Sequence, residues 1–459
     1  MTVNERITTT SGGALTLTNA GTLAVNADIS ADGAMTQNGA GAVAIASPRT
    51  VTTSGDAVSF ASPVTLSGAG TTSIDTTAGA NASGASITFA NTLDGTAAGA
   101  EHLRLTAGTA GDVLFSGAVG SAQRLGDITV TGAKNVTESS GLAAKTLTQL
   151  AGSSGATTRF DGPVDTDGAA GIGIATSGTV SVAAPVNSNN SPITFSASDW
   201  VISRAVSAGT APIAISHWNN GTVNIGSQID TAELALLATS DNLYLGAPAN
   251  SGIVNIDGSV NFAASTPNVV LRATGTGGKI TQSNASAIIG SPPTLLTFVA
   301  DSGIGGAGAP VRVTGGNFSA DNANAGEIVL QVTSGNGHFT DNASQGLARL
   351  RNAAPGGALD VSVTDGRITH DAPLASAGPL SLTANSSGSI ATITVNAAGI
   401  SADGDATLRS ADALSHRRQR RTTRAELRTT TVQACSSTVR CARAAPREAT
   451  TSPSTPPAR

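Results

Sequence analysis

Leu103-Arg-Leu105-Thr-Ala107, followed after a short turn by Gly111-Asp-Val-Leu-Phe115-Ser-Gly117, decides the architecture of this chain. Large apolar residues fall at every second position, and glycine closes the run. Period-two alternation bounded by turn residues is the pattern of a strand that buries one face only. The same pattern returns from Gly12 to about Leu408, roughly every ten residues, in runs such as Leu271-Arg-Ala273, Leu330-Gln-Val332 and Leu380-Ser-Leu382-Thr-Ala384. A chain that repeats strand and turn for so long is most economically a solenoid, each coil resting on the last.

Two further units carry the repeat. Gly-x-Φ-Thr-(Gln/His/Asp), with Φ a large apolar residue, occurs as Gly33–Gln37, Gly278–Gln282, Gly337–Asp341 and Gly366–His370. Glycine admits the tight turn. Alternation then predicts that Met35, Ile280, Phe339 and Ile368 face inward while Ala34, Lys279, His338 and Arg367 face solvent. Phe-x-x-x-(Val/Leu) pairs Phe60 with Val64, Phe89 with Leu93, Phe115 with Val119 and Phe160 with Val164. The steps of 29 and 26 residues between the first three Phe predict one coil per ~20–30 residues. At ~25 residues per coil the body makes about 16 coils, a rod of roughly 75–80 Å. Pro63, Pro163, Pro185 and Pro379 fall at the expected turns, where a missing donor costs little.

Composition agrees. In 459 residues there are 54 Gly, 3% aromatic and 12% charged residues, too few large side chains for a wide globular core. A disordered chain would be poorer in β-branched residues and more charged, and the mean hydropathy here is +0.09. Stacked β-sandwich modules are the alternative, disfavoured because Trp200, Trp218 and Tyr244 are too few and too clustered for sandwich cores. The chain is thus expected to be all-β, with a repeat body at 1–414 and an Arg-rich tail at 415–459. The tail holds ten Arg against Glu426 and Glu448, while the body carries 15 basic and 28 acidic residues: net +8 and −13.

In the tail, strand alternation stops, Gly vanishes after Gly404, and Arg, Ala, Thr, Pro, Cys435 and Cys441 appear together. A shifted reading frame in a GC-rich gene produces such a change, and the alternative is a genuine disordered basic tail. His416-Arg-Arg-Gln-Arg-Arg421 has the charge to meet an anionic surface or nucleic acid, but nothing else in the chain joins it, so no nucleic-acid partner is expected. If the tail is out of frame, it should pair with no strand of the last coil, and the rod should end raw near Leu408. The body lacks cysteine, so it needs no oxidative folding. There is no apolar run of ~20 residues, and no membrane insertion is expected. Met1-Thr-Val-Asn-Glu-Arg6 lacks the basic region and apolar core of a signal peptide, which points to a fragment of a longer parent.

These repeats resemble the strand-repeat regions of bacterial surface proteins of the filamentous-haemagglutinin family, and autotransporter passengers. The resemblance implies a right-handed parallel β-helix, exported to the cell surface or secreted, serving as a non-catalytic adhesive stalk. It implies a host glycan or surface protein as partner, and neighbouring coils of the parent chain on either side. The family's secretion domain and membrane barrel have no counterpart in these residues.

The competing class is a carbohydrate-active β-helix enzyme, a polysaccharide hydrolase or lyase. Asp165-Thr-Asp167-Gly168 is similar to the Asn-Thr-Asp-Gly of β-helix polygalacturonases, in which Asp protonates a glycosidic bond. The accompanying Asp-Asp, Gly-His-Gly and Arg-Ile-Lys are missing, which favours a plain turn. Asp321-Asn-Ala-Asn-Ala-Gly326-Glu has the look of a calcium loop, but Ala323 and Ala325 stand where ligand oxygens are needed. His102, His217, His338, His370 and His416 show no ligand spacing and are expected as single surface or strand-end residues. Strings such as Asn81-Ala-Ser83 and Asn342-Ala-Ser344 follow from composition. No catalytic residue, metal ligand or cofactor is assigned.

Overall fold

The computed structural model describes residues 1–78, 81–246, 252–262, 266–290, 294–340, 350–371, 373–385, 391–396, 399–411, 413–416 and 439–441, the last two stretches as backbone only. It is a parallel β-solenoid of about 16 turns, as the repeat spacing predicts. Coil-to-coil strand partners lie 19 residues apart at the closest, as for Leu125 and Ala144, and 31 at the widest, as for Val206 and Leu237. Three strand tracks run along the first half. One begins at Thr2–Val3, the second at Ile7–Thr8 and the third, of nine strands, runs from Leu15–Leu17 to Asp199–Ile202. A short helix, Thr231–Leu234, follows that end, capped reciprocally by Asp230 and Glu233; the Glu233 carboxylate also accepts from Ile202 N at 3.0 Å. No helix among the described residues is long and apolar enough to cross a membrane.

Within each coil, alternation turns one set of side chains inward. A single core results, continuous from Val3 to Val395. Met35, Phe60, Phe89, Phe115, Phe160, Ile280, Phe339 and Ile368 are all buried in it, and Lys279 and Arg367 are exposed, as expected. Between coils, parallel pairing places like positions above one another. Phe60, Phe89 and Phe115 stack with centroids 5.4 and 5.5 Å apart and planes within 13°. The prolines fit because only their carbonyls are used: those of Pro63, Pro163, Pro185 and Pro379 accept from the N–H of Val43, Leu142, Val164 and Leu359 in the coil before.

One expectation is corrected in part. His370 ends the strand Ile368–His370, one of the two places expected, but it is not on the surface: it is wholly buried, stacked on Phe339 at 6.2 Å. The reason is the period: with Ile368 inward, residue 370 is inward too. The fifth position of the Gly-x-Φ-Thr unit is a core position, as Gln37 and Gln282, both buried, also show. In the tail, two short segments pair with strands of the last coils. Ser415 and His416 continue the strand Ala413–His416 against Thr392–Val395, and Val439–Cys441 lies antiparallel along Ala406–Ser410. The last coil offers unpaired N–H and C=O groups, which an extended segment can satisfy. Tail residues 417–438 and 442–459, with most of the Arg cluster and Cys435, lie outside the described residues, as does the string Asn342–Ser344.

Candidate functional site

The Asp165–Gly168 string sits at the end of the strand Val164–Thr166, on the outside of the coil. Alternation sends Val164 and Thr166 inward and leaves Asp165 and Asp167 facing solvent. Arg124, two coils earlier, lies across both carboxylates. Its Nη2 bonds Asp165 Oδ2, and its Nε stands 3.3 Å from Asp167 Oδ2. Its Nη1 donates to the carbonyls of Ala144 at 2.9 Å and Asp165 at 2.8 Å. From the next coil, Asn187 Nδ2 and Asn189 Nδ2 donate to Asp165 Oδ1 at 3.3 and 2.8 Å. The result is a polar seam across several coils, with Arg124 at its centre. A glycosidase pair needs one carboxyl free to give a proton and another free to receive charge. Here the lone pairs of Asp165 already face a guanidinium and two amides.

The calcium-like string is dispersed in the same way. Asp321, itself buried, forms a bidentate pair with Arg351, at 2.6 and 2.9 Å. Asn322 faces inward and donates to Asn352 Oδ1 at 2.9 Å and to Ala325 O at 2.7 Å, while its Oδ1 accepts from Gly303 N. Asn324 reaches Asp301 instead. These oxygens diverge, and among the described residues no three His, Cys, Asp or Glu side chains form a metal-binding group.

The histidines are scattered. His102 Nδ1 accepts from Asp127 N at 2.8 Å, and His217 Nδ1 accepts from Gly221 N at 3.0 Å. Burial pushes the His217 imidazole below its ordinary range. It lines a shallow groove with Asn220, Gly221 and Arg272, and the Arg272 guanidinium lies 4.2 Å over the Tyr244 ring. His338, facing outward, joins Asn317 Oδ1 at 2.9 Å and Asp371 Oδ2 at 2.6 Å. His416 is described as backbone only.

Sequence reasoning missed the polar residues inside the coil. Glu138 occupies an aromatic position, between Phe115 and Phe160 in the register, and is 1% exposed. Its Oε1 accepts from Ser140 N at 2.7 Å and from Gly141 N; its Oε2 accepts from Gly162 N at 3.1 Å. The turn is tight: a Cβ on Gly162 would stand 2.2 Å from Gly141 N. Burial pushes the Glu138 carboxyl up, against the pull of the amides. Gln37 does similar work two coils before Phe89, its Oε1 accepting from Ala61 N and Ser62 N at 3.1 and 3.2 Å. Glu101, also buried, accepts from Thr96 Oγ1 at 2.6 Å and Ala97 N at 3.2 Å. The signal was present, since each of these residues falls on the inward phase of its strand.

Against known proteins, no family model matches the chain, and neither a curated protein nor a solved structure shows significant similarity to it.

Proposed function

We propose that this chain is a structural, adhesive stalk segment of a large secreted bacterial surface protein, acting without catalysis. One observation supports this most. The buried carboxylates and amides, Gln37, Glu101, Glu138, Asn322 and Asn352, are each engaged by turns or neighbouring coils. They serve the rod itself, and do not converge on a cleft. A solenoid with one continuous core suits a spacer, because each coil contacts only its neighbours and length can be added without redesign. On this reading the chain stands at the cell surface or is secreted, its coils continue into those of a parent protein, and its outer face meets a host glycan or surface protein.

Binding of the purified chain to arrayed glycans and host surface proteins, beside a scan for hydrolase and lyase turnover on acidic polysaccharides, tests the proposal. Saturable binding with no turnover is the expected result. Turnover lost in Asp167→Ala would replace it with the enzyme reading.

A further inference from the structure

We infer that His370 makes the C-terminal coils of the solenoid acid-labile, because it stands at an internal stacking position where a cation has no partner. The strand Ile368–His370 lies between Gly337–Phe339 and Thr392–Val395. In register, Phe318, Phe339, His370 and Val395 follow one another down the interior. The imidazole is stacked on the Phe339 ring at 6.2 Å with planes 19° apart, and Phe339 lies 5.8 Å from Phe318. His370 has 0% exposure, and among the described residues neither ring nitrogen has a hydrogen-bond partner. A neutral ring in that place behaves as an aromatic; an imidazolium there carries a charge and an added N–H with nothing to receive it.

The surrounding groups offer no rescue. Flanking its strand, Arg367 is exposed, and Asp371 faces out with Oδ2 joined to His338 Nε2 and Oδ1 to Asn396 Nδ2 at 2.8 Å. The coil before contributes His338, itself outward and a further cation when protonated. The coil after, Thr392–Val395, has no titratable residue. Leu359–Val363 turns its Leu and Val side chains inward and Asp360 outward, and Leu380–Ala384 carries no titratable residue. Burial accordingly takes the His370 imidazole from 6.5 down to about 4, with Asp371 opposing weakly.

The sign follows from linkage. The unfolded coil binds a proton between its ordinary value and the depressed one, and the folded coil does not. Stability is therefore full above pH 6.5 and falls as pH drops toward about 4. Between pH 7.5 and 5.0 the local opening equilibrium should rise about 30-fold.

Hydrogen–deuterium exchange of the full chain, corrected for intrinsic exchange, reads this directly. Peptides over Ile368–His370 and Thr392–Val395 should lose protection by about 30-fold at pH 5.0, while those over Val58–Phe60 and Ile87–Phe89 should not. His370→Phe, which continues the aromatic stack, should fold and abolish the response; His370→Leu gives the same readout should the larger ring not fit. Asp371→Asn, which removes the surface pair but keeps the buried imidazole, should retain it. Equal protection of the wild type at both pH values overturns the inference. So does a response that survives in both His370 variants, or one abolished by Asp371→Asn alone.

Discussion

Two aromatic ladders run inside this solenoid, and each is interrupted by one ionisable residue. In the N-terminal ladder Glu138 sits between Phe115 and Phe160; in the C-terminal one His370 follows Phe318 and Phe339. Both are buried, yet their situations are opposite. Glu138 reaches the turn at Ser140 and Gly141 and the turn of the next coil at Gly162, so its charge is received by three backbone amides. Such amides would otherwise need water, so side chain and turn satisfy one another. The His370 imidazole is stacked on Phe339 and, among the described residues, has no hydrogen-bond partner. Burial thus favours the neutral form in both places, but at Glu138 the turn amides partly offset it, whereas among the described residues no hydrogen bond does so at His370. Acid should act on the two regions in opposite directions.

The largest effect expected is on the stack. Phe89→Ala, between two stacked rings, should cost about 3–5 kcal/mol, read as lost exchange protection in the coils of Phe60, Phe89 and Phe115. Loss spread evenly to the C-terminal ladder would show that the coils do not act as neighbours-only units. Next is Glu138→Leu, which fills the space but orphans the amides of Ser140, Gly141 and Gly162. A penalty of about 2–3 kcal/mol is expected, again local; no penalty would mean that water satisfies the turn.

Acid titration of the same chain sharpens the contrast. The Glu138 carboxyl is raised by burial, so its coils should be most stable below the ordinary carboxyl value of 4.5 and lose stability as pH rises through the raised value. The coils around His370 should lose stability as pH falls from 6.5 toward about 4. Exchange rates moving the same way in both regions would break the comparison. The smallest effect belongs to the outer seam. Arg124→Ala removes a partly exposed ion pair and should change stability by about 1 kcal/mol or less. Should it instead abolish glycan or protein binding while leaving exchange untouched, the seam would be the contact surface.

Much of the fold was legible. Runs such as Leu380-Ser-Leu382-Thr-Ala384 declare their inward residues by themselves, and Lys279 and Arg367 fell outside as the phase required. The polar interior was also written in that phase, since Gln37, Gln282 and His370 all stand two residues beyond an inward apolar one. Residue type hides it, because Gln and His are commonest at the surface, whereas position in the strand decides which face they take. The seam at Arg124 was not legible in the same sense. Arg124 and Asp165 are 41 residues apart, and no local pattern says that their coils bring them together.

By itself, then, the sequence determined the strands, the turns and which side chains enter the core. These are local consequences of backbone pleat and of glycine and proline geometry. Only the tertiary structure decided which residues stand above one another. Coil lengths vary from 19 to 31 residues, because turns of different size are inserted between strands. The vertical register is set by hydrogen bonds between coils and not by any spacing within one. That register put Glu138 among phenylalanines beside a turn with amides to give, and His370 beneath Phe339 with none.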